Sequence, residues 1–200
     1  FAGSLWIGGI SQGSNLKVAA MTYRQNGNDF WPGTLDVSNA SVESQVCSQY
    51  DRHFVITRKE VEEFHAAFLA EGSGVTVPAS IDGWPAFDRF GNANITQPLA
   101  PFFDNDQNGE YNPSGGDYPG YSLNGEMGNC KTDAQLFGDR TLWWIFNDKG
   151  NVHTESDGSQ VGLEIHAQAF AFSTNDEINN MTFYQYQIFN RSTDKLDSCY

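Results

Sequence analysis

The chain has 200 residues, 11 of them Lys or Arg and 25 Asp or Glu, for a formal net charge of −14. That surplus of carboxylates cannot neutralise phosphates, which excludes nucleic acid as a partner, and no apolar run reaches the roughly 18 residues of a membrane span. Hydrophobic residues make up 39% and aromatics 14%, enough to build a core and so to exclude disorder, while 20 Gly and 17 Asn mark a turn-rich, soluble module.

In chain order, Ser4 to Ile7 predicts a strand, followed by Gly8-Gly9, and Leu16 to Tyr23 a second, ended by an Asn26-Gly27 turn. Phe30-Trp31-Pro32-Gly33 reads as an aromatic loop. One helix is predicted: Thr57 and Glu60 form a capping box, Val61, Phe64, Phe68 and Leu69 recur at helical spacing, and Gly72 ends the run. From Val75 to Tyr121, Pro78, Pro85, Pro98, Pro101, Pro113 and Pro119 break any long element. Strands return at Thr141 to Phe146, Val161 to Phe172 and Asn180 to Asn190, the last two joined by a hairpin turn at Ser173 to Asn179. Within Val161 to Phe172 strict alternation puts Leu163, Ile165, Ala167, Ala169 and Ala171 on one face and Glu164, His166, Gln168, Phe170 and Phe172 on the other. The expected fold is mainly β, an antiparallel, jelly-roll-like β-sandwich with one short helix. It forms a single module over residues 1–200, with a long irregular insertion at 75–140. An opening at Phe1 and a close just past a strand suggest a segment of a longer polypeptide.

The sharpest chemical signal lies in that insertion, at Asp104-Asn105-Asp106-Gln107-Asn108-Gly109-Glu110. Oxygen-bearing side chains at positions 1, 3 and 5 with Gly at 6 match the first half of a calcium loop of the EF-hand type. Alternate residues of a tightly curved loop point inward, and Gly permits the turn that lets the next carbonyl, that of Glu110, face the ion. The match stops there: position 12 is Gly115, Asp117 lies two residues beyond it, and Pro101 and Pro113 exclude flanking helices. The expected ligands of Ca2+ are therefore Asp104, Asp106, Asn108, Glu110 through its backbone, and Asp117, with Asp139 as the alternative last ligand.

Elsewhere the chemistry is thinner. Glu164, His166 and Gln168 share a strand face, but one His and one carboxylate are too few for a transition-metal shell and read as a hydrogen-bonded polar row. No nucleophile elbow, zinc-protease helix or phosphate loop is present. Trp31, Trp84 and one of Trp143 and Trp144 are candidate platforms for sugar rings, or core. Cys47, Cys130 and Cys199 have no metal or redox spacing, and leave open one disulfide with a spare thiol or three free thiols.

Several segments together resemble the large secreted surface proteins of Bacteroidota. They are Ser4-Leu5-Trp6-Ile7-Gly8-Gly9, Ala20-Met21-Thr22-Tyr23-Arg24, Asn28-Asp29-Phe30-Trp31-Pro32-Gly33, Trp84-Pro85-Ala86, Leu99-Ala100-Pro101-Phe102, Asp104 through Gly109, Gly116-Asp117-Tyr118-Pro119, Leu142 through Asp148, Glu164 through Phe170, and Asn190-Arg191-Ser192. The resemblance implies export by type IX secretion to the cell surface or medium, a sorting domain elsewhere in the chain, and Asp104, Asp106, Asn108 and Asp117 acting as one unit. The stretch from Gly120 to Phe137, which carries Cys130, departs from the pattern. The expectation is a non-enzymatic, calcium-stabilised extracellular structural or adhesion module of a bacterial surface protein or appendage. Its expected partners are other domains of the same chain, further copies in a homo-oligomer or filament, or surface glycans. The alternative is a secreted carbohydrate-active enzyme or carbohydrate-binding module built on Glu164 and His166.

Overall fold

A computed structural model describes residues 3–22, 28–123 and 135–200. Tyr23, the Asn26-Gly27 turn and Cys130 lie outside the described residues. In chain order the elements are β1 (Trp6–Ser11), β2 (Asn15–Ala20), β3 (Trp31–Pro32), α1 (Ser44–Tyr50), β4 (Phe54–Thr57), α2 (Arg58–Glu71), α3 (Ala79–Asp82), β5 (Phe102–Phe103), β6 (Tyr118–Pro119), β7 (Arg140–Asn147), β8 (Leu163–Ala171), β9 (Phe183–Asn190) and β10 (Leu196–Asp197). The strands form antiparallel sheets and the fold is mainly β, as expected.

The largest sheet runs β3-β7-β8-β9, with β4 also paired to β7: β3 meets Phe146 and Asn147, and β4 meets Arg140 to Trp143. A smaller sheet has the order β10-β1-β2, and β5 pairs with β6 alone. Gly8 and Gly9, read from the sequence as following a strand, lie within β1. A Cβ on Gly9 would come within 3.3 Å of Cys199 Sγ and 3.5 Å of Leu196 Cβ, so the missing side chain makes room for the segment that pairs beside it.

Helix α2 follows its sequence signals closely. Thr57 Oγ1 accepts from the Glu60 N–H at 3.2 Å, and Gly72, at φ +68°, closes the last turn through its N–H to the Phe68 carbonyl. The Glu60 carboxylate accepts from Ser80 of α3, which ties the helix start to the chain that follows. Val61 and Phe64 are buried in the core and His65 packs on the Tyr118 ring at 5.0 Å, but Leu69 is 72% exposed. Two further helices were not anticipated. α1 is seven residues long, has no side-chain cap, and is held by burial of Val46, Cys47 and Tyr50; α3 is a single turn.

One face of the large sheet carries Ile56, Trp143 and Ile145 into the main core. The layer that covers it comes from α2 and from the proline-rich stretch, which contributes Ile81, Trp84, Leu99, Phe102, Tyr118 and Tyr121. Short turns satisfy its backbone: Leu99 N–H donates to the Ala86 carbonyl at 2.8 Å, Ala100 to Pro85 at 3.0 Å and Gly120 to Pro101 at 3.0 Å. Segments with little regular structure beyond α3, β5 and β6 thus act as a core layer. On the opposite face Val161, Leu163 and Ile165 pack with Leu5, Ile7, Phe30, Phe146 and Leu196, which brings the small sheet against one end of the large one.

Candidate metal centre

The acidic loop is gripped at its base by the shortest sheet. Phe102 pairs with Pro119 and Phe103 with Tyr118, and the Phe103 and Tyr118 rings stack at 4.7 Å. Continuing that register by one step sets Asp104 opposite Asp117. Thirteen residues apart in sequence, the two carboxylates meet because the strands before and after them are paired. Asp106 joins them from the loop, and one carboxylate oxygen of each of Asp104, Asp106 and Asp117 lies within 4.8 Å of the others.

The backbone of the loop is wound around these carboxylates. Asp104 accepts from the N–H groups of Asn108 at 3.1 Å and Gly109 at 2.8 Å, and Asp106 accepts from Asn108 N–H at 3.2 Å and from its Nδ2 at 2.9 Å. Asp117 accepts from the N–H groups of Asn105 at 2.8 Å and Asn112 at 2.7 Å. Gln107 and Gly109 take positive φ, 60° and 87°, as the curvature requires. Asn108 Oδ1 accepts from Glu110 N–H at 2.7 Å, so this side chain braces the turn.

Asp104 and Asp117 are fully buried, while Asp106 is exposed at the mouth. Burial pushes the Asp117 carboxyl above its ordinary range; the N–H donors of Asn112 and Asn105 oppose that rise, and repulsion from Asp104 and Asp106 adds to it. No Lys or Arg occurs between 104 and 117 to relieve the crowding. Of the two candidates for the last ligand, Asp117 converges on the group, whereas Asp139 accepts from Ser173 N–H at 2.7 Å between the ends of β7 and β8. Asn108 and Glu110 lie in the same loop, both exposed.

Glu164 and His166 do come together, but under the core layer. Glu164 is completely buried and accepts from His166 Nε2 at 2.9 Å, Arg191 Nη2 at 2.7 Å, Leu35 N–H at 2.8 Å, Gln97 Nε2 at 3.3 Å and the Thr34 hydroxyl. Burial alone would raise its carboxyl, but the donors and positive charge of His166 and Arg191, with Thr34, outweigh that and hold it down to about 2. A carboxylate so fully engaged is a structural anchor, with no lone pair turned towards a substrate. Of the candidate sugar platforms, Trp84 and Trp143 are core, while Trp31 and Trp144 border an open cleft.

Sequence reasoning passed over a second buried charge cluster. Asp148 accepts from the N–H groups of Gly162 at 2.8 Å, Leu163 at 2.6 Å and Val161, and Asp29 from those of Ala20 at 3.0 Å and Glu155 at 2.9 Å. His153 lies between them, its ring nitrogens 3.8 Å from Asp29 Oδ2 and 3.7 Å from Asp148 Oδ2. Burial raises the Asp29 carboxyl, yet Ser156, the Ala20 and Glu155 N–H groups and His153 together hold it below its usual value. Scattered at 29, 148 and 153, these residues form no local pattern. In comparisons with family models, curated proteins and solved structures, no match to this chain was found.

Proposed function

We propose that the chain is a non-enzymatic, calcium-stabilised structural or adhesion module of an extracellular bacterial surface protein or appendage. The observation that carries the reading is the convergence of Asp104, Asp106 and Asp117 in a loop of calcium-ligand order with no basic residue. With metal–oxygen distances of about 2.3–2.6 Å, oxygens that share one calcium ion stand at most about 5.2 Å apart, and the three carboxylate oxygens, all within 4.8 Å of one another, meet that requirement. In this reading Asp104, Asp106, Asn108 and Asp117 supply side-chain oxygens and Glu110 its carbonyl. The ion relieves carboxylate repulsion, and its binding free energy becomes folding free energy for the loop and the layer beside it. The packing of Leu5 and Ile7 on the large sheet supports a sandwich of the jelly-roll kind. The resemblance to secreted surface proteins supports an extracellular location and docking to other domains of a long chain.

Melting temperature in calcium and in excess chelator tests the reading. At calcium about 100-fold above its dissociation constant, chelation is expected to lower the melting temperature by about 5–10 °C. Asp106→Ala is expected to abolish the difference. Asp106 suits the test because it is exposed and accepts from Asn108 alone, whereas Asp104 and Asp117 are buried and each holds two backbone N–H groups whose release would loosen the loop with or without an ion. A melting temperature indifferent to chelator would reduce the loop to an acidic turn.

A further inference from the structure

We infer that β9 is the contact edge of a two-fold dimer, in which a second copy of this chain lays its own β9 antiparallel to the first and continues the large sheet. β9 ends the sheet order, and among the described residues it pairs with β8 alone. At the end of that ladder Arg191 N–H donates to the Gly162 carbonyl at 3.0 Å. Antiparallel bonding alternates along a strand, so odd-numbered residues turn their N–H and C=O groups to β8, and Tyr184, Tyr186, Ile188 and Asn190 turn theirs outward. An unpaired row of backbone donors and acceptors is matched by an extended polypeptide and by little else.

Two further observations select a second copy as that polypeptide. The first is charge. Phe183–Asn190 contains no Asp, Glu, Lys or Arg, and also none of the Pro or Gly that commonly guard an edge. In a chain of net charge −14, this eight-residue edge lets two like-charged molecules approach without opposing carboxylates. The second is self-matching. A two-fold axis through Tyr186 sets Tyr186 against its own copy and Tyr184 against Ile188 of the second copy, all with outward-bonding backbone. These side chains share one face of the sheet and are 60%, 42% and 48% exposed at Tyr184, Tyr186 and Ile188. Aromatic–aromatic and aromatic–β-branched pairs are the favourable cross-strand combinations. The row Trp144–Ala167–Tyr186 across β7, β8 and β9 would then run on through the axis into the second copy.

No residue of β9 belongs to the acidic loop, so this inference holds or fails apart from the calcium reading. The test is sedimentation velocity on the whole chain from about 1 to about 100 µM, with calcium and with chelator. A concentration-dependent dimer is expected in both. Tyr186→Lys places like charges face to face at the axis and is expected to weaken the dimer at least about tenfold, while Val152→Lys, at a site 70% exposed outside the sheets, leaves it unchanged. Both sites are solvent-exposed, and an unchanged melting temperature of the monomer checks the fold. Tyr186→Cys is expected to give a dimer whose disulfide, located by peptide mapping apart from the exposed thiol of Cys199, joins position 186 of one copy to position 186 of the other, since facing residues of a bonded pair have Cα atoms about 5.5 Å apart. A monomer at the highest concentration, or a dimer that withstands Tyr186→Lys and yields no Tyr186→Cys cross-link, overturns the inference.

Discussion

Among 25 acidic residues, Glu164 is set apart by the donors gathered on it from three distant parts of the chain: Thr34 and Leu35, Gln97, and Arg191. Glu164→Gln would leave Arg191 and His166 facing a neutral amide, and breaking a buried pair in this way is expected to cost about 3–5 kcal/mol in urea unfolding. The pH dependence has a definite sign. The folded-state value of about 2 lies below the ordinary 4.5, so the stabilisation is complete above 4.5 and is lost as pH falls towards 2. The stability gap between parent and variant is therefore expected to be constant at neutral pH and to close across that acid window. His153 is held at both ring nitrogens in a comparable way, its Nδ1 and Nε2 each 2.6 Å from the carbonyl oxygens of Val18 and Asp148. The alternation of β8 placed Glu164 and His166 on one face from sequence alone, but their partners at 34, 97 and 191 are set by the fold and left no local trace.

Helix α2 and the acidic loop meet at Gly116. It takes φ +98°, and a Cβ there would fall 2.4 Å from Phe68 Cε1. Gly91 also has positive φ, +79°, but open space around the missing Cβ. Gly116→Ala is therefore expected to lower the melting temperature more than Gly91→Ala, the difference measuring the helix–loop contact apart from backbone strain common to both. At the other end of the helix, Thr57→Ala is expected to cost about 1 kcal/mol through loss of the N-cap, read by chemical denaturation. Elements with strong local signals were legible: α2 through its caps, β7 through its unbroken apolar and aromatic run, and β8 and β9 through alternation. α1 was not, because seven residues without a capping side chain are helical through the burial of Val46, Cys47 and Tyr50, a tertiary cause.

At the scale of the molecule, the proline-rich stretch and the large sheet complete each other. Trp84 from the former lies 6.4 Å from Trp143 of the latter, both buried, and Trp84 Nε1 donates to the Pro101 carbonyl at 2.8 Å. Neither layer covers its apolar face alone, so unfolding is expected to be a single cooperative transition, with tryptophan fluorescence and far-ultraviolet dichroism coinciding. Trp84→Ala is expected to destabilise the whole by about 3–5 kcal/mol rather than release one segment.

The sequence by itself determined the class of the fold, the capped helix, the paired β8 and β9 strands, and the order of oxygen-bearing side chains from Asp104 to Asn108, because each of these is written in neighbouring residues. Only the tertiary structure decided that Asp117, and not Asp139, stands beside Asp104, since that depends on the pairing of Phe103 with Tyr118 across the loop. It also decided that Glu164 is an anchor and that the prolines belong to a core layer. Burial and long-range pairing are properties of the assembled chain, and no local pattern records them.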